Sequence, residues 1–179
     1  VVDLDPQCHQ AFRVVGQERY PHTDVGGGFY EVFEYAMRSR QFHRAELGRR
    51  LEQAMRPTQQ PNVSVLFASN TQVNQMEVQA QANWYQVQVA WTRITKLLEG
   101  RFDMVFFDTP GTQTSNLLPL ALSSSELAVL VTDGNSEYTK AETLTTADKC
   151  RVVKELHNPA LKLGVVLNKV DGRTSVAAE

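Results

Sequence analysis

The chain has 179 residues, of which 42% are apolar and 21% charged, with a formal net charge of −2. These are the proportions of an ordinary globular protein, and the charge gives no global attraction to nucleic acid or acidic lipid, so such binding would need a local patch. No apolar run approaches the ~20 residues that span a bilayer, and no signal peptide is visible. Cys8 and Cys150 are too few and too far apart for a disulfide framework or a zinc knuckle, and His9, His22, His43 and His157 lack metal-ligand spacing. The expectation is a soluble, cytoplasmic protein with no membrane segment, residues 1–179 forming a single domain. Because the chain opens inside a strand without a methionine and stops as a helix begins, it reads as an internal piece, truncated at both ends.

Val1-Val2-Asp3-Leu4 reads as the end of a buried parallel strand, which lacks polar alternation. Pro6 cannot donate to a ladder, so the chain leaves the sheet there and carries Asp5 to the strand's carboxyl end, where open α/β sheets bind their ligands. A polar stretch ending in Gly26-Gly27-Gly28 follows. Phe29, Val32, Phe33, Ala36 and Met37 then mark one face of a helix, and a second helix runs from about His43 to Met55, stopped by Pro57 and Pro61. Val63 to Ala68 predicts a strand. Met76, Ala80, Trp84, Val87, Trp91, Ile94 and Leu98 step by threes and fours, which predicts one long helix with all of them on one face. Trp84 and Trp91 could stack on bases, but their place on the apolar stripe favours core packing. Strands are then expected at Met104–Phe107, Leu127–Val131 and Leu163–Leu167, with a helix from about Tyr138 to Leu156. Strands alternating with helices of this length imply an α/β fold: a mainly parallel sheet flanked by helices, three-layer α/β/α and P-loop NTPase-like.

Polar signatures follow several of these strands: Asp5 after the first, Asp108-Thr109-Pro110-Gly111-Thr112 after Phe107, and Asn168-Lys169-Val170-Asp171 after Leu167. In a parallel sheet they would project from one edge. An apolar strand ending in Asp is the Walker B pattern, in which the carboxylate of Asp108 meets a hydrated magnesium ion. Small residues from Thr109 to Thr112 would let backbone N–H groups approach a terminal phosphate. The plainer reading makes Asp108 the cap of a helix from Thr112 to Leu122. Asn168 and Asp171 form an Asn-Lys-x-Asp string, whose amide and carboxylate can read a purine edge. A strand-to-helix turn would use the same residue types.

Asp-Thr-Pro-Gly before Asn-Lys-x-Asp looks like a GTPase of the translation-factor kind, but such a GTPase needs Gly-x-x-x-x-Gly-Lys-[Ser/Thr] a few dozen residues before Asp108, and that span contains none. The three signatures, in order, resemble the ParA/MinD class of partition ATPases, the ParA/Soj branch most closely, over nearly the whole chain; the Asp-x-Asp-Pro-Gln strand end is the most specific string. That resemblance places the family's Walker A loop upstream of Val1 and its last strands and helices beyond Glu179, so these residues alone are not expected to hydrolyse ATP. It implies Asp5 as the carboxylate orienting the attacking water, Asp108 as the magnesium holder, Thr109 in the phosphate-sensing loop, and Asn168 with Asp171 at the base. Its cofactors would be ATP and magnesium. It further implies an ATP-dependent homodimer, non-specific DNA binding, a ParB-type partner that stimulates hydrolysis, and nucleoid association. Cys8-His9 and Gly111-Thr112 depart from the family's usual Gly-Asn and Pro-Ser and touch the switch loops without removing a carboxylate.

Two other readings stand beside this one: a degenerate, non-hydrolysing interaction module of the same fold, and a GTPase with an unusual phosphate loop. Arg38, Arg40, Arg44, Arg49, Arg50 and Arg56 could form a DNA-facing patch, although Glu46 and Glu52 dilute it towards a solvated helix face.

Overall fold

The computed structural model describes residues 1–5, 28–38, 42–110, 114–132 and 137–167. They fall into two compact units, one built from Val1–Gly111 with Ser115–Leu118 and the other from Thr112–Thr114 with Pro119–Glu179.

The first unit holds a four-stranded sheet of β1 (Val2–Asp3), β2 (Arg56–Pro57), β3 (Ser64–Phe67) and β4 (Phe107–Asp108), ordered β2-β3-β1-β4. β1 pairs parallel with both β3 and β4, while β2 runs antiparallel to β3. Val2 and Leu4 are buried, as the apolar run predicts. β2 is a strand the sequence reading missed. Pro57 does end the preceding helix, but it also sits on an edge strand, where its missing N–H leaves no ladder bond unmade. The link to β3 turns through Asn62 at φ 62°, a conformation asparagine tolerates.

Among the described residues this unit has α1 (Phe29–Arg38), α2 (Arg44–Ala54), α3 (Asn70–Ala82) and α4 (Trp84–Glu99). α1 buries Phe29, Val32, Phe33 and Ala36, the predicted face, and packs against α2 and α4. Gly28 precedes it at φ +82°, where a Cβ would stand 3.2 Å from the Ala54 Cβ at the end of α2. A capping box between Ser69 and Gln72 starts α3.

The single long helix expected through Met76 and Leu98 is in fact two. Asn83, at φ −138° and ψ 48°, ends α3 and begins α4. Asparagine is a poor interior helix residue because its side chain competes for local backbone groups, so the break falls where the sequence is weakest. The apolar stripe continues across it: Met76, Ala80, Val87, Trp91, Ile94 and Leu98 are all buried, and Trp84 is half-buried. The Trp91 ring lies 5.3 Å from that of Phe107, tilted by 47°, which makes it a core residue.

The strand expected over Met104–Phe107 is shorter than its apolar run. Only Phe107–Asp108 pairs as a strand, and β4 is the edge of the four-stranded sheet. Met104 is 69% and Phe106 60% exposed, so the expected burial of this segment does not hold among the described residues.

The second unit contains β5 (Leu127–Thr132) and β6 (Lys162–Leu167), paired parallel in one two-stranded sheet, with α6 (Glu137–Leu156) packed on β5. Ala128, Thr132, Cys150, Val153 and Leu161 are buried. Val129, Val131 and Val166 stay exposed. The short helix α5 (Leu117–Ser123) precedes β5.

Replacing Trp91 with alanine removes the ring that backs Phe107 and should destabilise the chain by about 3–5 kcal/mol. Trp84→Ala, at a half-buried position, should lose less than half of that. Urea denaturation followed by circular dichroism separates the two, and equal losses would show that Trp84 contributes as much to the core as Trp91.

Candidate functional site at the carboxyl edge of β1 and β4

Three ladder bonds fix the register of β1. The N–H of Val2 donates to the Phe106 carbonyl at 2.7 Å, that of Leu4 to the Asp108 carbonyl at 2.8 Å, and Leu66 donates to the Val1 carbonyl at 2.8 Å. Val2 therefore stands beside Phe107 and Leu66, and Asp3 beside Asp108 and Phe67. Register partners in a parallel pair share a face, so Asp3 and Asp108 are neighbours on one side of the sheet, roughly 5 Å apart at the backbone.

Asp3 is 0% exposed. Its Oδ1 accepts the Asp5 N–H at 3.1 Å, a side-chain turn that replaces the next ladder bond as the chain leaves the sheet. Asp5, Asp108 and Thr109 are half-buried, and Pro110 is buried. The structure thus brings Asp5, Asp108 and Thr109 to one sheet edge. Asn168 and Asp171 lie outside the described residues, directly after β6. Asp3 is the residue that sequence reasoning passed over. Its signal was the two-residue spacing to Asp5, which puts both on one face of a strand.

Asp108 is not the cap of the following helix, which begins only at Leu117. Ser115 takes that role, its Oγ accepting the Leu117 N–H at 3.1 Å. The Ser115 hydroxyl in turn donates to Oε1 of Glu77 on α3, and the Asn116 N–H donates to Glu77 Oε2 at 2.7 Å.

Among the described residues no group of three or more His, Cys, Asp or Glu side chains could hold a metal ion by itself. The donors at this edge are carboxylates and a hydroxyl, the hard oxygen ligands magnesium prefers.

Three of the arginines before Pro57 pair with carboxylates, Arg38 with Glu34 at 2.6 Å and both Arg49 and Arg50 with Glu46 at 2.7 Å. Arg56 donates to the Gln53 carbonyl at 2.8 Å, and Arg101, later in the chain, pairs with Glu52 at 2.6 Å. Arg40 lies outside the described residues. The Arg49 hydrogen bond, with help from Arg50, pulls the Glu46 carboxyl down to about 2. A depressed carboxylate contributes stability that is present above its ordinary value near 4.5 and lost as pH falls towards 2. This face is a set of exposed helix pairs, each worth little, and their positive charge is largely spent locally. No helix among the described residues is long and apolar enough to cross a membrane.

No protein-family profile matches the sequence, and no curated protein is significantly similar to it. The solved structure of cobyrinic acid a,c-diamide synthase from Mycobacterium smegmatis superposes with a TM-score of 0.65 at 22% identity. The match covers 99% of this chain and 64% of the synthase, so the chain spans less than two thirds of the protein it resembles. At this identity the likeness bears on the fold alone, helices flanking a mainly parallel sheet in a three-layer α/β/α arrangement, and it does not single out the ParA branch.

Asp3→Ala should strand the Asp5 N–H and destabilise the chain by about 1–3 kcal/mol. Asp3→Asn keeps an acceptor at the same place and should lose less than half as much. Chemical denaturation of both variants checks this, and equal losses would show that the turn does not depend on the side-chain oxygen.

Proposed function

We propose that this chain supplies the water-orienting and magnesium-binding edge of a ParA/MinD-type ATPase. The observation that carries the reading is the register of β1 with β4, which sets Asp3 beside Asp108 and delivers Asp5 and Thr109 to the same edge. The fold supports it, because in open α/β sheets ligands bind outside the carboxyl ends of the strands. These 179 residues contain no Gly-x-x-x-x-Gly-Lys-[Ser/Thr] loop, so the activity belongs to a protein in which they are joined to one.

Each side chain has a distinct task. The Asp5 carboxylate orients the attacking water and accepts its proton, and Asp3 keeps Asp5 in place by holding its backbone N–H. Asp108, at the end of β4, would hold magnesium. Thr109 belongs to the turn that meets the terminal phosphate, and Asn168 and Asp171 contact the adenine. Magnesium, when bound with ATP, neutralises charge developing on the phosphates. Hydrolysis is expected to be slow, because positioning and charge stabilisation do the catalysis with no covalent enzyme intermediate.

The cellular role that follows from the family resemblance is the partitioning or positioning of DNA or another cargo near the nucleoid. It would act through an ATP-dependent homodimer, non-specific DNA binding and a ParB-type partner. Arg49 and Arg50 of α2 share the Glu46 carboxylate, which argues against that helix as the DNA surface.

In the complete protein, Asp5→Ala should lower the rate of ATP hydrolysis at least ~100-fold and leave ATP affinity within about twofold. Asp108→Ala should weaken binding in magnesium and barely change it in EDTA. A phosphate-release assay with nucleotide competition measures both. Full activity of Asp5→Ala would refute the water-orienting role, and GTP outcompeting ATP would replace this reading with the GTPase one.

A further inference from the structure

Glu77 lies far in sequence from every residue assigned above, yet its carboxylate reaches the segment that follows Asp108. Both oxygens are used, Oε1 by the Ser115 hydroxyl and Oε2 by the Asn116 N–H. Ser115 is buried and already accepts the Leu117 N–H, so its own proton needs an acceptor, and Glu77 provides it. The Asn116 N–H is one of the amides that a helix start leaves without a partner. A single side chain thus completes the polar network at this point.

The helix that carries Glu77 is a firm platform. The Ser69–Gln72 capping box fixes the start of α3, and Val73, Met76 and Ala80 bury its inner face. Gln72 also reaches Glu31 on α1 at 3.3 Å. At the near end of the same span, the Leu4 N–H holds the Asp108 carbonyl. Asp108 is therefore tied to β1, and Ser115 and Asn116 to α3, all within the first unit. Each tie lowers the number of backbone arrangements open to the residues it holds.

We infer that Glu77 is a positioning residue for the chain that follows Asp108: it latches Ser115 and Asn116 to α3, and so fixes where the chain leaving Thr109 and Pro110 must arrive. The consequence for hydrolysis rests on the ATPase reading above; the latch itself does not. Both Glu77 oxygens are taken up by Ser115 and Asn116, so Glu77 should govern turnover through that segment and leave nucleotide affinity alone.

The test uses the complete protein as wild type, Glu77→Gln, Glu77→Ala, Ser115→Ala and the Glu77→Ala/Ser115→Ala double variant. Amide hydrogen exchange is measured without nucleotide, and ATP affinity and turnover are measured separately. In Glu77→Ala the Asn116 amide should exchange about tenfold faster, while the amides around Trp91 keep their wild-type rates. ATP affinity should stay within about twofold while turnover falls about fivefold or more. Glu77→Gln, which retains one acceptor, should fall between, and the double variant should be no worse than the poorer single one. Unchanged exchange at Asn116, or equal acceleration at Trp91, overturns the latch. Wild-type turnover in Glu77→Ala with the Asn116 amide released overturns its positioning role. A wild-type protein that binds no ATP overturns the ATPase reading alone, and the exchange data still decide the latch.

Discussion

Everything at the candidate site depends on the parallel ladder between β1 and β4. Two N–H groups, those of Val2 and Leu4, hold the carbonyls of Phe106 and Asp108 and thereby fix which residue stands beside which. A slip by one residue would send Asp108 to the opposite face from Asp3, because strand side chains alternate. The ladder is short, so its register needs help from outside. Trp91 supplies it by packing against Phe107 from α4, and the buried Val2 and Leu4 supply it from the strand itself. The apolar packing and the placement of the carboxylates are thus a single constraint.

Asp3 and Asp108 stand side by side on neighbouring strands, and each has polar partners of its own. The Asp5 N–H is one of them, donating to Oδ1 of Asp3. Under the ATPase reading proposed above, a divalent cation at this edge would add to them, since opposite charge within reach favours the ionised form of an acid.

The fold was legible where local pattern and burial agree. The faces of α1 and of the α3–α4 stripe were readable from spacing, as were β3, β5, α6 and β6, because core packing follows the same periodicities that define the elements. It was not legible where one residue overrides a pattern. Asn83 interrupts a stripe whose apolar spacing continues unbroken, so periodicity alone cannot see the break. β2 is invisible because Arg56 and Pro57 have no strand-like pattern; only their pairing with Val65 and Ser64 makes them one. Met104 and Phe106 mislead in the other direction. Their apolar run looks buried, yet β4 is an edge strand.

The site shows the same division. Asp5, Asp108 and Thr109 could be named from sequence because each follows a strand in a recognisable string. Asp3 was harder, since its role appears only when the β1–β4 register puts it beside Asp108. Glu77 could not be named at all: its partners at Ser115 and Asn116 are 38 and 39 residues away, and no local pattern encodes a contact of that range. A strand-end acid is recognised by chemistry it shares with many proteins, whereas the residue that positions its loop is recognised only by where the chain has folded. The strings in the sequence therefore mark the strand-end groups, and the packing marks the groups that hold their segments in place.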